Sequence, residues 1–179
     1  MKCASVFETW GSTPHERQAD YPCDDLVDRP DALFRAVDID APAAVVFRWL
    51  LQLRQAPYSY DWLDNGGRRS PRHLSDELER LEVGRTFMRI FRLASFEDGR
   101  SITLDSTTAL FGRVVVTYRV VPVGALQSRL VVKLIFSGPP GLRGWVTRRL
   151  LPTGDLLMMR KQLLTLKALA ERDGRQMVG

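Results

Sequence analysis

The chain has 179 residues, of which 45% are hydrophobic and 26% charged. That balance suits one domain with a sizeable core and excludes a disordered or fibrous chain. Two cysteines, Cys3 and Cys23, are too few for a disulfide scaffold and lack the paired spacing of a zinc site, so reduced thiols in the cytoplasm are expected. The net charge of +5 is local: eight basic residues meet three acidic ones between Pro139 and Gly179, while 18 of each cancel elsewhere. Such an excess admits a basic surface module for nucleic acid or an anionic membrane. It equally describes a solvated helix face with cations near its C-terminal end, and since no nucleic-acid module accompanies it, no nucleic-acid partner is expected. No window approaches the roughly 18 uncharged apolar residues of a membrane span. The few apolar residues between Lys2 and Glu8 are too short for a secretory signal. The use of 22 Arg against 4 Lys suggests a bacterial source.

Residues 1–30 mix turn formers with scattered aromatics and read as an arm packed on the domain, with one short helix. Leu33 to Ile39 is a strand candidate. Asp40-Ala41-Pro42 then signals a helix start, and Ala44 to Leu53 places Trp49, Leu50 and Leu53 on one stripe before Pro57 ends it. Tyr58 to Pro71, with its Asn65-Gly66-Gly67 turn signal, reads as a loop. Ser75 is a plausible cap for a short helix to about Leu81. After Gly84 the period changes to two: Phe87 to Leu93, Ser101 to Ser106, Gly112 to Val121 and Arg129 to Ser137 are strand candidates of an antiparallel meander. Val116, Tyr118 and Val120 oppose Thr117 and Arg119, and Leu130, Val132, Leu134 and Phe136 oppose Lys133, which predicts one wet and one covered sheet face.

The cover is a long amphipathic helix over Thr153 to Arg172. Leu156, Met159, Leu163, Leu166 and Ala170 form its stripe, widened by Leu157, Leu164 and Ala168. Pro152 should separate it from a helical piece around Trp145 to Leu151, and 174–179 reads as a flexible tail. This order predicts one α+β domain over 31–173, a curved antiparallel sheet wrapped around the last helix. The space between them, concave and largely apolar, is the expected ligand site.

Several stretches together resemble a known family: Trp10-Gly11 with Glu16-Arg17, Pro22 to Val27, Ile39-Asp40-Ala41-Pro42, Tyr58 to Asn65, and Gly154-Asp155 through Lys167. They are similar to the SRPBCC superfamily, the START-like or helix-grip proteins, in an uncharacterised bacterial branch near the polyketide cyclases and dehydrases. The resemblance implies a helix-grip fold with an elongated apolar cavity, used by relatives for lipids, polyketides and other hydrophobic compounds. Some relatives catalyse cyclisation or dehydration and others bind and carry, with no universal catalytic triad to transfer.

Within Tyr58 to Asn65, Tyr58, Tyr60 and Trp62 can ring a cavity mouth, while Asp61 and Asn65 can equally satisfy loop amides. Arg68 and Arg69 can hold a ligand carboxylate or phosphate, or be solvated or paired with nearby acids. Phe87, Phe91, Tyr118, Met158 and Met159 can line the cavity or simply pack the core. Tyr118 stands out, because a buried phenol needs a polar partner and a ligand could supply one. His15 and His73 fit no metal motif, and no nucleophile elbow or phosphate loop is present. No metal and no cofactor are therefore expected, and His73 is expected to be exposed. The leading expectation is a carrier or sensor of a hydrophobic small molecule, acting as a monomer or homodimer. The alternative is a cofactor-independent polyketide cyclase or dehydratase, with the basic surface module third.

Overall fold

The computed structural model describes residues 6–27, 32–60, 67, 69–78, 80–107, 112–137 and 142–178, with the backbone alone for 76, 142–153 and 178. In chain order these form α1 (Val6–Thr9), α2 (Pro14–Gln18), β1 (Ala32–Ile39), α3 (Ala43–Leu51), β2 (Thr86–Phe87), β3 (Phe91–Glu97), β4 (Ser101–Ser106), β5 (Arg113–Gly124), β6 (Gln127–Ser137) and α4 (Leu142–Val178). Single 3-10 turns at Gln52–Arg54 and Asp76–Leu78 follow α3. The six strands make one antiparallel sheet in the order β1-β6-β5-β4-β3-β2. The architecture is α+β, a helix-grip arrangement with α3 and α4 on one face of the sheet.

Alternation along the strands sorts two cores. On the α4 side, Ile39, Leu104, Val116, Tyr118, Val120, Leu130, Val132 and Leu134 pack with Trp49, Leu50 and Leu53 of the α3 region and with Met159, Leu163, Leu166 and Ala170 of α4. The opposite face is not wet, as alternation suggested. Phe34, Ala36, Val115, Val131 and Ile135 are buried there under Tyr21 and Cys23 of the N-terminal arm. A face that alternates apolar with polar can still be covered when the cover brings partners for the polar groups. Here the Cys23 N–H donates to Thr117 Oγ1 at 3.2 Å, Lys133 pairs with Asp24 at 2.6 Å, and the Arg119 guanidinium lies 4.1 Å from the centre of the Tyr21 ring.

The arm also closes an exposed sheet edge. The Ala36 N–H on β1 donates to Trp10 O at 3.0 Å, which answers one of the unpaired groups that make an edge strand a liability. Gly11 follows with φ +73, and a Cβ there would sit 2.1 Å from Ala36 O, so only glycine allows this approach. Thr13 and Glu16 form a capping box on α2. Glu16 then binds Arg129, which also pairs with Asp38 at 2.7 Å and donates to Gly11 O at 2.6 Å.

Several elements differ from the sequence expectation: the arm holds two short helices, α1 and α2, where one was expected, and the helix expected from Ser75 to about Leu81 is a single 3-10 turn at Asp76–Leu78. The run from Phe87 to Leu93 is two strands, not one, because Met88 and Arg89 take positive φ (45 and 66) and turn the chain. Helix α4 continues through Pro152, since a proline removes one backbone donor while the turns beyond it stay anchored by packing. The expected tail at 174–179 is helical through Val178, held where Gly174 lies against Ala41 and Pro42. The buried side of α4 also widens opposite to the expected direction. Leu157 and Leu164 are exposed, whereas Gln162 and Leu169 are buried.

Candidate functional site

Two features on the α4 side carry chemistry: a buried polar line beneath α4, and a pocket at its flank. The line begins at Arg35, a fully buried cation on β1 whose Nη2 donates to Asp155 Oδ2 of α4 at 2.8 Å. Burial holds the Asp155 carboxyl up to about 6 against the pull of Arg35, and burial likewise lowers the Arg35 guanidinium. Both shifts have one cause: removing the charges from water costs more than their attraction returns. Further along, the Tyr118 hydroxyl donates to Gln162 Oε1 at 2.7 Å. The Gln162 amide donates in turn to Pro57 O at 2.6 Å and contacts Met88 Sδ at 3.3 Å. Burial raises the Tyr118 phenol, with the Asp155 charge adding to the effect and Gln162 opposing it. The sequence looked to a ligand as the partner of Tyr118; the fold supplies Gln162 instead, a polar residue on the buried face of α4.

The pocket encloses about 250 Å³ and is lined by Tyr58, Ser59, Arg69, Ser70, Pro71, Arg72, Lys161, Thr165 and Leu169. Its α4 wall follows from helical spacing, because Lys161, Thr165 and Leu169 are successive residues four apart on one side. Its other wall starts at Tyr58, a buried residue with φ 56. A bulky residue in left-handed backbone is a genuine outlier. Tyr58 is held by an edge-to-face contact with Trp49, ring centres 5.9 Å apart, and by the anchoring of its neighbour Pro57 to Gln162. The segment 69–75 is pinned from α4 and from the 3-10 turn that follows α3. Arg172 of α4 donates to Arg72 O at 2.7 Å, and the Gln52 side chain both donates to Ser75 O and accepts from its N–H, each at 3.3 Å.

Of the residues expected at a site, Tyr58 and Arg69 line this pocket. Tyr60 is exposed outside it, and Trp62, Asp61, Asn65 and Arg68 lie outside the described residues. Phe87, Tyr118 and Met159 are buried in the core, with Phe91 packed against it. Met159 Sδ is 3.8 Å from the Tyr118 hydroxyl, and Met158 is half-buried. His15 and His73 are exposed. Among the described residues no group of three His, Cys, Asp or Glu could hold a metal ion, and no helix is long and apolar enough to cross a membrane. Sequence reading missed Arg72, Lys161, Gln162 and the Arg35–Asp155 pair. A signal existed for two of them: Arg35 interrupts the apolar set Leu33, Val37 and Ile39 on one face of β1, and Gln162 falls between Met159 and Leu166 within the helix stripe.

Comparison with known proteins gives the same architecture. No curated protein matches the chain. A solution structure from Thermobifida fusca is similar with a TM-score of 0.54 and 18% identity, covering 80% of this chain and 93% of that one. A crystal structure from Chromobacterium violaceum reaches 0.51 at 16% identity, covering 79% and 99% respectively. A protein from Nitrosospira multiformis reaches 0.50 at 13%, covering 80% and 99%. At such identities the likeness concerns the fold alone. The model of the polyketide cyclase / dehydrase and lipid transport family matches residues 33–171, from the first strand through the helix that carries Asp155, Lys161 and Gln162, and the chain therefore belongs to that family.

Proposed function

We propose that the protein binds a hydrophobic small molecule non-covalently, as a carrier or sensor, at the junction of the Tyr58–Ser59 segment, residues 69–72 and α4. The pocket there carries the reading. It is concave and presents Tyr58, Pro71 and Leu169 beside six polar or charged residues, so it offers a small molecule an apolar surface at one side and hydrogen-bonding groups at the other. A family described by both polyketide chemistry and lipid transport supports a ligand of this kind. Native mass spectrometry of the purified protein tests it: a small-molecule adduct is expected, and Leu169→Trp should remove it by filling the pocket. A protein that carries no adduct and takes up none from a panel of fatty and aromatic compounds would overturn the reading.

The Arg35–Asp155 pair favours a second reading, cofactor-independent cyclisation or dehydration. Such an enzyme needs a group that exchanges a proton near neutral pH and reaches the substrate; burial raises the Asp155 carboxyl to about 6, which answers the first need, while its partner is Arg35 and it does not line the pocket. Turnover of a polyketide-like compound by the wild type but not by Asp155→Asn would promote this reading, while unchanged turnover would remove Asp155 from it.

A further inference from the structure

We propose that the pocket between residues 69–72 and α4 is an anion site that takes the carboxylate or phosphate headgroup of the ligand, which makes that ligand an anionic amphiphile. This rests on the reading of the pocket as the ligand's seat. Arg69, Arg72 and Lys161 all line it, and among the described residues the lining includes no Asp or Glu. Elsewhere eight described cations have a close carboxylate, Arg35 with Asp155 at 2.8 Å among them. Arg85, Arg100, Arg113, Arg129, Lys133, Lys167 and Arg172 each have a carboxylate within 3.0 Å. The carboxylates of α4 nearest the pocket in sequence are already engaged. Glu171 holds Lys167 and the Asp40 N–H, and Asp173 holds Arg172 and the Trp49 indole N–H. Three positive side chains thus share one concave space that no acid among the described residues neutralises.

The cradle is also preorganised. The chain Trp49–Asp173–Arg172 ends on the Arg72 carbonyl, so the backbone carrying Arg72 is set before any ligand arrives. Thr165 donates to Lys161 O at 2.8 Å, which spends its proton within the helix, and the ammonium and the two guanidiniums are the charged donors of the lining. Guanidinium groups suit flat or tetrahedral oxyanions through paired N–H donors. The volume, about 250 Å³, is below the range of pockets that enclose a whole drug-sized ligand. It accommodates a headgroup and the first carbons of a chain, with Tyr58, Pro71 and Leu169 as the apolar side.

Calorimetric titration of the full chain with decanoate, decyl phosphate, decanol and inorganic phosphate tests this. At low salt, decanoate or decyl phosphate should bind at least about tenfold more tightly than decanol, the value of one charge-assisted contact, and added salt should narrow the gap. Whichever of the two binds more tightly identifies the headgroup as carboxylate or phosphate. Arg72→Gln, and the double variant Arg69→Gln with Lys161→Gln, should lose the preference without a change in melting temperature, since all three side chains are exposed. If decanoate, decyl phosphate and decanol bind alike, the anion site is overturned while a hydrophobic ligand stands. If inorganic phosphate binds as tightly as decyl phosphate and decanol not at all, the anion site stands and the hydrophobic ligand is overturned. Binding of none overturns both.

Discussion

The two faces of the sheet are covered by different means. On the outer face the arm lays Tyr21 and Cys23 on β1, β5 and β6 and satisfies the polar residues of those strands with its own charges and backbone: Asp24 for Lys133, Glu16 for Arg129, the Cys23 N–H for Thr117. On the inner face α3 and α4 bury a larger apolar core, yet leave polar groups inside it and, at its flank, a pocket lined by three cations and, among the described residues, by no acid. The outer face is therefore a clasp in which each charge has an answer. The inner face retains groups that are costly to bury, and such groups collect where a protein does chemistry or binds.

Breaking the inner face at its apolar centre should have the largest effect. Leu163 is fully buried in the main core, so Leu163→Asp should destabilise by about 4 kcal/mol or more through unpaired charge burial. A denaturant melt that finds the variant as stable as the wild type would contradict the packing of α4. Gly11→Ala breaks the outer face instead. The added Cβ meets Ala36 O at 2.1 Å and forces a left-handed residue, so a loss of about 2–4 kcal/mol is expected, with faster amide exchange at Ala36 and ligand binding preserved. Loss of binding in that variant would mean that the two faces are coupled.

The Arg35–Asp155 pair sharpens the contrast through pH. The Asp155 carboxyl is raised from 3.8 to about 6 in the fold. Below about pH 3 it is protonated in both states and costs nothing. As pH rises toward 6 the unfolded chain ionises first, so stability falls, by at most about 3 kcal/mol, and above about pH 6 the loss is constant. Glu16 and Glu171 oppose this slope. Although burial pushes each upward, Arg129 and Lys167 respectively pull them below the usual carboxylate range, and each adds stability that is lost as pH falls. The informative quantity is therefore the difference between wild type and Asp155→Asn across pH 4–6, where only the wild type should show the Asp155 component. Parallel profiles would place Asp155 in ordinary solvent.

The smallest expected effect is that of Tyr118→Phe. Removing the hydroxyl leaves Gln162 Oε1 buried without its 2.7 Å donor, at a cost of about 1–2 kcal/mol, with no change in the contacts of the arm. If Tyr118 only packs the core, ligand binding should be unaltered; a tenfold loss of affinity in a variant that melts near the wild type would place the phenol in the ligand's path.

Much of this molecule was readable from one sequence because periodicity reports burial directly. Alternation in β5 and β6 identified the inner faces, the three-and-four spacing from Met159 to Ala170 identified the terminal helix, and Ser101–Ser106 has the strand bounds read from its pattern. Those signals are local, and the side-chain direction of a strand or helix follows from its own geometry. What alternation could not tell was whether the second sheet face met water or another segment. A polar residue such as Lys133 looks the same in sequence whether solvent or Asp24 neutralises it. The pocket was half legible: Tyr58 and Arg69 drew notice as local chemistry, while Arg72, Lys161 and Leu169 join them only because α4 passes beside a loop about a hundred residues earlier in the chain. The partners of Arg35 and Tyr118 were likewise decided by tertiary structure, since residues 120 and 44 positions away supply them. Propensity and hydrophobic pattern determined the elements and the fold. The geometry of the buried polar line and of the pocket was decided by long-range packing, which puts a carboxyl, an amide and three cations in places that no local pattern encodes.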